Sequence, residues 1–139
     1  MRTIVFLSLL VSVASFGQKH ARVTSTDLKF TDSNFQNCLD KGENMMGCTS
    51  SYYDQIDKLL NLSYFSLYDA LPQGKRTVLK SEQRAWLAYR DSFFEYNSHG
   101  FNEIEEGREG KMFILEANAV FVKSRVKLLI SRMDSLSDY

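Results

Sequence analysis

Residues 57–91 read DKLLNLSYFSLYDALPQGKRTVLKSEQRAWLAYRD, which is two stretches of helical character on either side of Pro72-Gln73-Gly74. A proline followed closely by a glycine ends a helix and starts a turn. This turn predicts that the two helices fold back on each other as an antiparallel pair. The residues that face each other in this arrangement are Asp57 with Arg90, Asn61 with Trp86, and Tyr64 with Gln83.

The stretches around this turn have the periodicity of long helices. Apolar residues recur at steps of three and four, which indicates helices over about 44–71, 75–97 and 111–135. A shorter helix is predicted to start at Thr31 or Asp32 and to reach about residue 40. No strand pattern of any length occurs, so we predict an all-α fold: a small antiparallel helical bundle with three long helices and one short N-terminal helix. The last helix has a heptad seam, formed by Met112, Leu115, Ala119, Val122, Val126, Leu129, Met133 and Leu136.

The N-terminal residues have the features of an export signal. Arg2 supplies the positive charge, an apolar run follows, and small residues precede a cleavage site before Gln18. The apolar run is shorter than the roughly 20 residues that span a bilayer, although a retained membrane anchor is the alternative. We therefore expect a signal peptide over 1–17, a flexible lead-in over 18–30 and a helical domain over 31–139.

The charge balance excludes one class of partner. The sequence has 17 basic and 17 acidic side chains, and loss of Arg2 with the signal leaves a slightly negative chain. Proteins that bind nucleic acid present a basic face, so no nucleic-acid partner is expected. No second apolar run follows the signal, so no membrane contact is expected after cleavage.

The two cysteines, Cys38 and Cys48, are predicted to form a disulfide. Gly42 and Gly47 lie between them and allow the chain to turn back, and disulfides persist outside the cytoplasm. A metal pair or a redox pair are the alternatives. Neither is favoured, because no histidine lies near in sequence and the spacing is not Cys-x-x-Cys.

The sequence shows no catalytic machinery. His20 and His99 have no serine or cysteine partner at a suggestive spacing, and no phosphate-binding loop or metalloprotease motif occurs. Adjacent glutamates such as Glu105 and Glu106 resemble a glycosidase pair only in residue type, and they are better explained as solvated charge. We expect a protein that is not an enzyme and that has no metal and no cofactor.

A set of polar residues surrounds the predicted hairpin. Asp57 and Arg90 are interpreted as an interhelical ion pair that fixes the register of the two helices, with a ligand site as the alternative. Asn61 and Gln83 are expected to satisfy each other, the backbone or Tyr64. The predicted structural polar network consists of Asp57, Asn61, Tyr64, Gln83, Trp86, Arg90 and Asp91.

Residues 98–110 are predicted to form an acidic surface loop. Glycines and glutamates dominate this stretch, and a local negative charge favours encounter with a cationic partner. A solvated loop without a partner is the alternative. The candidate partner-binding residues are Phe101, Glu103, Glu105, Glu106, Arg108 and Glu109.

The cysteine and polar positions together carry a resemblance over about 35–96. The chain resembles the LprI-like family of bacterial envelope lysozyme inhibitors, which implies a small exported helical protein in the periplasm or outside the cell. The resemblance implies a protein partner, a lysozyme, which is inhibited by steric blocking. The alternative is an envelope interaction or immunity protein with another partner. The matching residues are Cys38, Met46-Gly47-Cys48, Asp57, Leu60-Asn61, Tyr64, Leu67, Gln83, Trp86 and Arg90-Asp91.

Overall fold

The structure is a computed structural model that describes residues 20–102 and 107–136. The predicted signal peptide lies outside the described residues. Over the described ranges the chain is helical, without a strand, which confirms the predicted all-α fold. The four helices are α1 (Ser25–Leu39), α2 (Met45–Ala70), α3 (Gln73–Asn102) and α4 (Arg108–Ser135).

Helices that follow each other in the chain run in opposite directions. Arg22 contacts Asp134 and Asp32 contacts Lys123, so the start of α1 lies beside the end of α4. The helices α2 and α4 run parallel, because residues from the start of both line one cleft. These two helices share the most extensive interface of the bundle, with α1 and α3 packed around them.

The core lies along the α2–α4 interface. The centre of the predicted heptad seam is fully buried there, from Ala119 to Leu129, because its apolar side chains face the apolar stripe of α2. From α3, Leu79 closes the core on one side. The most completely buried large side chains are Ile56, Leu60, Leu67, Leu79, Val122, Val126 and Leu129.

Helix α1 begins earlier than the sequence predicts. Its N-terminus is capped at Thr24, whose backbone N–H and hydroxyl both donate to the Asp27 carboxylate, at 2.7 and 2.8 Å. Thr31 is instead buried inside the helix, and Asp32 pairs with Lys123. Residues 25–30, assigned to the lead-in, are therefore helical, because an earlier capping pair was available.

The C-terminal boundary of α3 also differs from its prediction. The helix continues to Asn102, so 98–102 are helical and His99 lies in the last turn rather than in a loop. Helix α4 starts at Arg108, directly after Gly107, whose φ of 125° favours glycine. The acidic segment is thus shorter than predicted.

Substitution of Asp27 by alanine is expected to lower the free energy of unfolding by about 1 kcal/mol, because it removes the acceptor of the capping box. The two hydrogen bonds from Thr24 lower the pKa of Asp27, with the backbone bond as the larger cause. Its contribution is therefore present at neutral pH and is lost as the pH falls through this lowered pKa.

Urea unfolding at neutral and acidic pH measures this effect. Asp54, an exposed aspartate within α2, provides the matched control as Asp54→Ala. Equal losses in the two variants would show that the capping box adds no stability.

Candidate functional site

A groove runs between α2 and α3. The two helices diverge beyond the turn that joins them. At this turn, the Arg76 side chain donates to the carbonyl oxygens of Leu71 and Asp69, at 2.7 and 3.0 Å, and so provides partners for two carbonyl groups at the end of α2. The groove has a volume of about 320 Å³. Its lining consists of Asp57, Leu60, Asn61, Tyr64 and Phe65 from α2 and Lys80, Gln83, Arg84, Leu87 and Arg90 from α3.

The groove is open because Gln83 and Trp86 of α3 contact α4. The Oε1 atom of Gln83 accepts a hydrogen bond from Nε of Arg125 at 3.0 Å, in a buried position. Trp86 stacks on Phe121, with ring centroids 5.9 Å apart. Gln83 and Trp86 thus make these contacts with α4. Gln83 and Tyr64 line the same groove from opposite helices, and the amide nitrogen of Asn61 donates to the backbone oxygen of Asp57 at 3.0 Å.

A second polar contact joins the far end of α3 to α4. The amide nitrogen of Asn97 donates to Oδ1 of Asn118 at 3.1 Å, and both side chains are buried. Together with the Gln83–Arg125 bond, it fixes the register of α3 on α4 at two points.

Asp57 and Arg90 lie on the same side of the molecule, but they do not form the predicted ion pair. The Arg90 guanidinium donates twice to Oδ1 of Asp91, at 2.7 and 2.9 Å, and Asp57 accepts from Asn61 at 3.4 Å. Among the ion pairs of the described residues, none joins Asp57 to Arg90. Arg90 pairs with Asp91 because the two residues are neighbours on α3, whereas Asp57 lies across the groove.

Both Asp57 and Arg90 affect the pKa of Tyr53. Burial raises the pKa of this tyrosine most, the Asp57 carboxylate raises it further, and the Arg90 guanidinium opposes them. Arg90 is also held over the rings of Trp86 and Phe94, at 5.9 and 5.6 Å from their centroids. Asp57 and Arg90 thus line the same groove and act in opposite directions on Tyr53.

Arg125 is a buried residue that the sequence analysis missed. Only 8% of its surface is exposed, and burial lowers the pKa of its guanidinium. Its Nη2 atom is buried without a hydrogen-bond partner in the described part of the chain, and the guanidinium lies 5.8 Å from the Trp86 ring centroid. The position lies three residues after Val122 and four before Leu129, a spacing that places it beside the buried seam.

A second network joins three helices. The hydroxyl of Tyr52 donates to Oδ1 of Asp32 at 2.8 Å, and Nζ of Lys123 donates to both Asp32 oxygens at 2.6 Å. Burial and the bond to Asp32 raise the pKa of Tyr52. The three residues lie far apart in sequence, so no local pattern could have indicated the contact.

The predicted disulfide between Cys38 and Cys48 is confirmed. It joins the end of α1 to the first turn of α2, with the two Cα atoms 5.7 Å apart. Gly42, with a φ of 67°, permits the turn between the helices. Because each sulfur is bonded to the other, the metal-pair alternative does not apply.

A cleft of about 500 Å³ lies where the starts of α2 and α4 meet. Arg108 and Glu109, two of the candidate partner-binding residues, line it. The others, Phe101, Glu103, Glu105 and Glu106, lie outside the residues whose side chains the structure describes. The remaining lining residues are Gly42, Glu43, Asn44, Met45, Met46, Met112 and Phe113.

The described residues provide neither a metal site nor a membrane-spanning helix. They contain no group of three or more histidine, cysteine, aspartate or glutamate side chains arranged to hold a metal ion. Within the same ranges, none of the helices combines the length and apolar character that crossing a bilayer requires.

Comparison with known proteins identifies the family. No curated protein and no solved structure matches the chain significantly. A match to the family described as lysozyme inhibitor LprI covers residues 38–129, more than half of the chain. It includes the disulfide, all of the groove and most of α4. The chain therefore belongs to the LprI family of lysozyme inhibitors.

Proposed function

We propose that this chain is an exported binding protein that inhibits a lysozyme by steric blocking. The observation that carries the proposal is membership of the LprI family over residues 38–129. The protein acts by occupying the substrate cleft of the enzyme, so it performs no chemistry of its own. A periplasmic or secreted location is supported by the apolar N-terminal run and by the disulfide.

The docking surface that we propose is the cleft at the starts of α2 and α4. Its methionines adapt readily to a partner surface, and Phe113, 45% exposed, adds an aromatic contact. Glu43 and Glu109 outnumber Arg108 in the lining, which suits a cationic enzyme. Three further glutamates, at 103, 105 and 106, lie just before Arg108 in the sequence.

Clearing of a cell-wall suspension by lysozymes of different classes tests the proposal. We expect the purified protein to slow at least one of them, with a higher apparent KM for the wall polymer and an unchanged kcat, because a blocked cleft excludes substrate. Inhibition should weaken as salt is added. If no lysozyme is slowed, the inhibitor proposal fails, and a pull-down from envelope extract tests the alternative of an interaction or immunity protein.

A pair of charge reversals tests the proposed surface. Glu43→Lys with Glu109→Lys is expected to slow association with the inhibited lysozyme, because the attraction between the surfaces is reversed. Asp54→Lys with Glu95→Lys, at two exposed positions outside the cleft, is the matched control because it changes the net charge by the same amount. An equal association rate for both variants would place the docking surface elsewhere.

A further inference from the structure

The groove between α2 and α3 carries an excess of positive charge. Lys80, Arg84 and Arg90 line it, against the single carboxylate of Asp57. Asp91 neutralises part of the charge of Arg90. For Lys80 and Arg84, both exposed, no ion pair occurs among the described residues. The groove is therefore suited to an anion rather than to the cationic partner proposed above.

The inner wall of the groove adds hydrogen-bond donors. The oxygen of the Gln83 side chain is occupied by Arg125, so the group that remains for a ligand is its amide nitrogen, which is a donor. Behind Gln83, the buried guanidinium of Arg125 has an unpartnered nitrogen and contributes positive potential in a region of low dielectric. A ligand that supplies acceptor oxygens would match this wall.

The α2 wall offers features that recognise a sugar. Phe65 is 43% exposed although His20 stacks on its ring at a centroid distance of 5.0 Å, and Tyr64 meets the same ring edge to face at 5.2 Å. Such rings pack against the C–H face of a pyranose. Asp57 lies on the same wall, and its carboxylate is an acceptor for hydroxyl groups. The volume, about 320 Å³, lies at the lower end of the range for small-molecule sites.

We propose that this groove binds a carboxylated sugar. Lys80 and Arg84 hold the carboxylate, the ring packs on Tyr64 and Phe65, and Asp57 accepts from the hydroxyl groups. The site opens between α2 and α3, whereas the proposed lysozyme-docking surface lies at the starts of α2 and α4. Binding of the sugar is thus a second activity, which does not depend on inhibition of the enzyme.

Matched sugars test the proposal. N-acetylmuramic acid and N-acetylglucosamine differ by a lactyl group that carries a carboxylate, so titration of both into the protein by calorimetry or NMR isolates the role of the anion. We expect saturable binding of N-acetylmuramic acid, with a Kd at least about tenfold lower than that of N-acetylglucosamine, as a charge-assisted contact implies. Glucuronic acid and glucose, as a second pair, distinguish a wall sugar from a uronic acid as the source of the carboxylate.

Two outcomes of these titrations would contradict the proposed binding of a carboxylated sugar. If neither acidic sugar binds, or if each binds no better than its neutral partner, the proposal is wrong. Inorganic phosphate is the third probe. If it competes with an affinity equal to that of the acidic sugars, the groove is a general anion site and the recognition of a sugar ring is overturned.

Variants locate the binding in the groove. Lys80→Glu with Arg84→Glu is expected to abolish binding of N-acetylmuramic acid, whereas Lys75→Glu with Lys111→Glu, which reverses two exposed charges outside the groove, is expected to preserve it. Equal binding by both would refute the assignment. Thermal unfolding followed by circular dichroism checks that each variant is folded. The clearing assay on the same proteins separates the two proposals, because the Lys80/Arg84 variant is expected to retain inhibition.

Discussion

Replacement of both Cys38 and Cys48 by alanine is expected to lower the free energy of unfolding by about 2.5–3 kcal/mol, since the disulfide closes a short loop and restricts the unfolded chain. The loss should be concentrated in α1. Beyond the disulfide, that helix is held by the buried side chains of Leu28 and Thr31, by the stacking of Phe35 on Tyr52, and by the contacts of Asp32 with Tyr52 and Lys123.

Urea unfolding and hydrogen exchange measure the two parts of this expectation. Amide protection should fall in α1 and remain in α2 and α4, because the α2–α4 interface does not include the disulfide. The reduced wild-type protein is the control, and its stability should match that of the alanine variant. Unchanged stability in both would show that the cross-link adds nothing to the fold.

Gln83→Leu is expected to cost about 2 kcal/mol, because it leaves the buried guanidinium of Arg125 without its acceptor. One guanidinium nitrogen already has no partner in the described part of the chain, so the substitution would leave Nε unpaired as well. When Arg125→Met is added, the double variant is expected to recover to within about 1 kcal/mol of the wild type, since an apolar pair of similar volume removes the need for the bond.

The double-mutant cycle, measured by urea unfolding, gives the coupling between the two residues. Gln55→Leu is the matched control, because Gln55 is an exposed glutamine that bonds only to Ser51 among the described residues. Additive effects of Gln83→Leu and Arg125→Met would show that the two side chains do not depend on each other.

The helices themselves were predictable where the signals are local. The range 44–71 was predicted for α2, and the structure gives Met45–Ala70, because Asn44 caps the start and Pro72 stops the end. The side chain of Asn44 accepts from the N–H of Gly47 at 3.1 Å. The heptad seam of α4 likewise identified its buried face. Caps, prolines and apolar periods act within a few residues, so one sequence suffices to find them.

The partners of α3 were not predictable in the same way. Gln83 and Trp86 were predicted to face α2, but the periodicity of a helix does not say which neighbouring helix it packs against. The turn at Pro72 suggested α2, whereas Arg125 and Asn118 on α4 supply the actual hydrogen-bond partners. The groove could not be predicted for the same reason. Lys80, Arg84 and Asp57 line one groove because α3 packs on α4 and leaves a space beside α2, and the sequence does not reveal this packing.

The parallel pairing of α2 with α4 has a consequence for how the chain folds. The whole of α3 separates these helices in sequence, so the central interface is made of contacts with high sequence separation. Folding slows as contact order rises, because the intervening loop must close before the contacts form. This bundle is therefore expected to fold more slowly than one in which each helix packs mainly on the next, and α2 keeps its apolar stripe unprotected until α4 arrives.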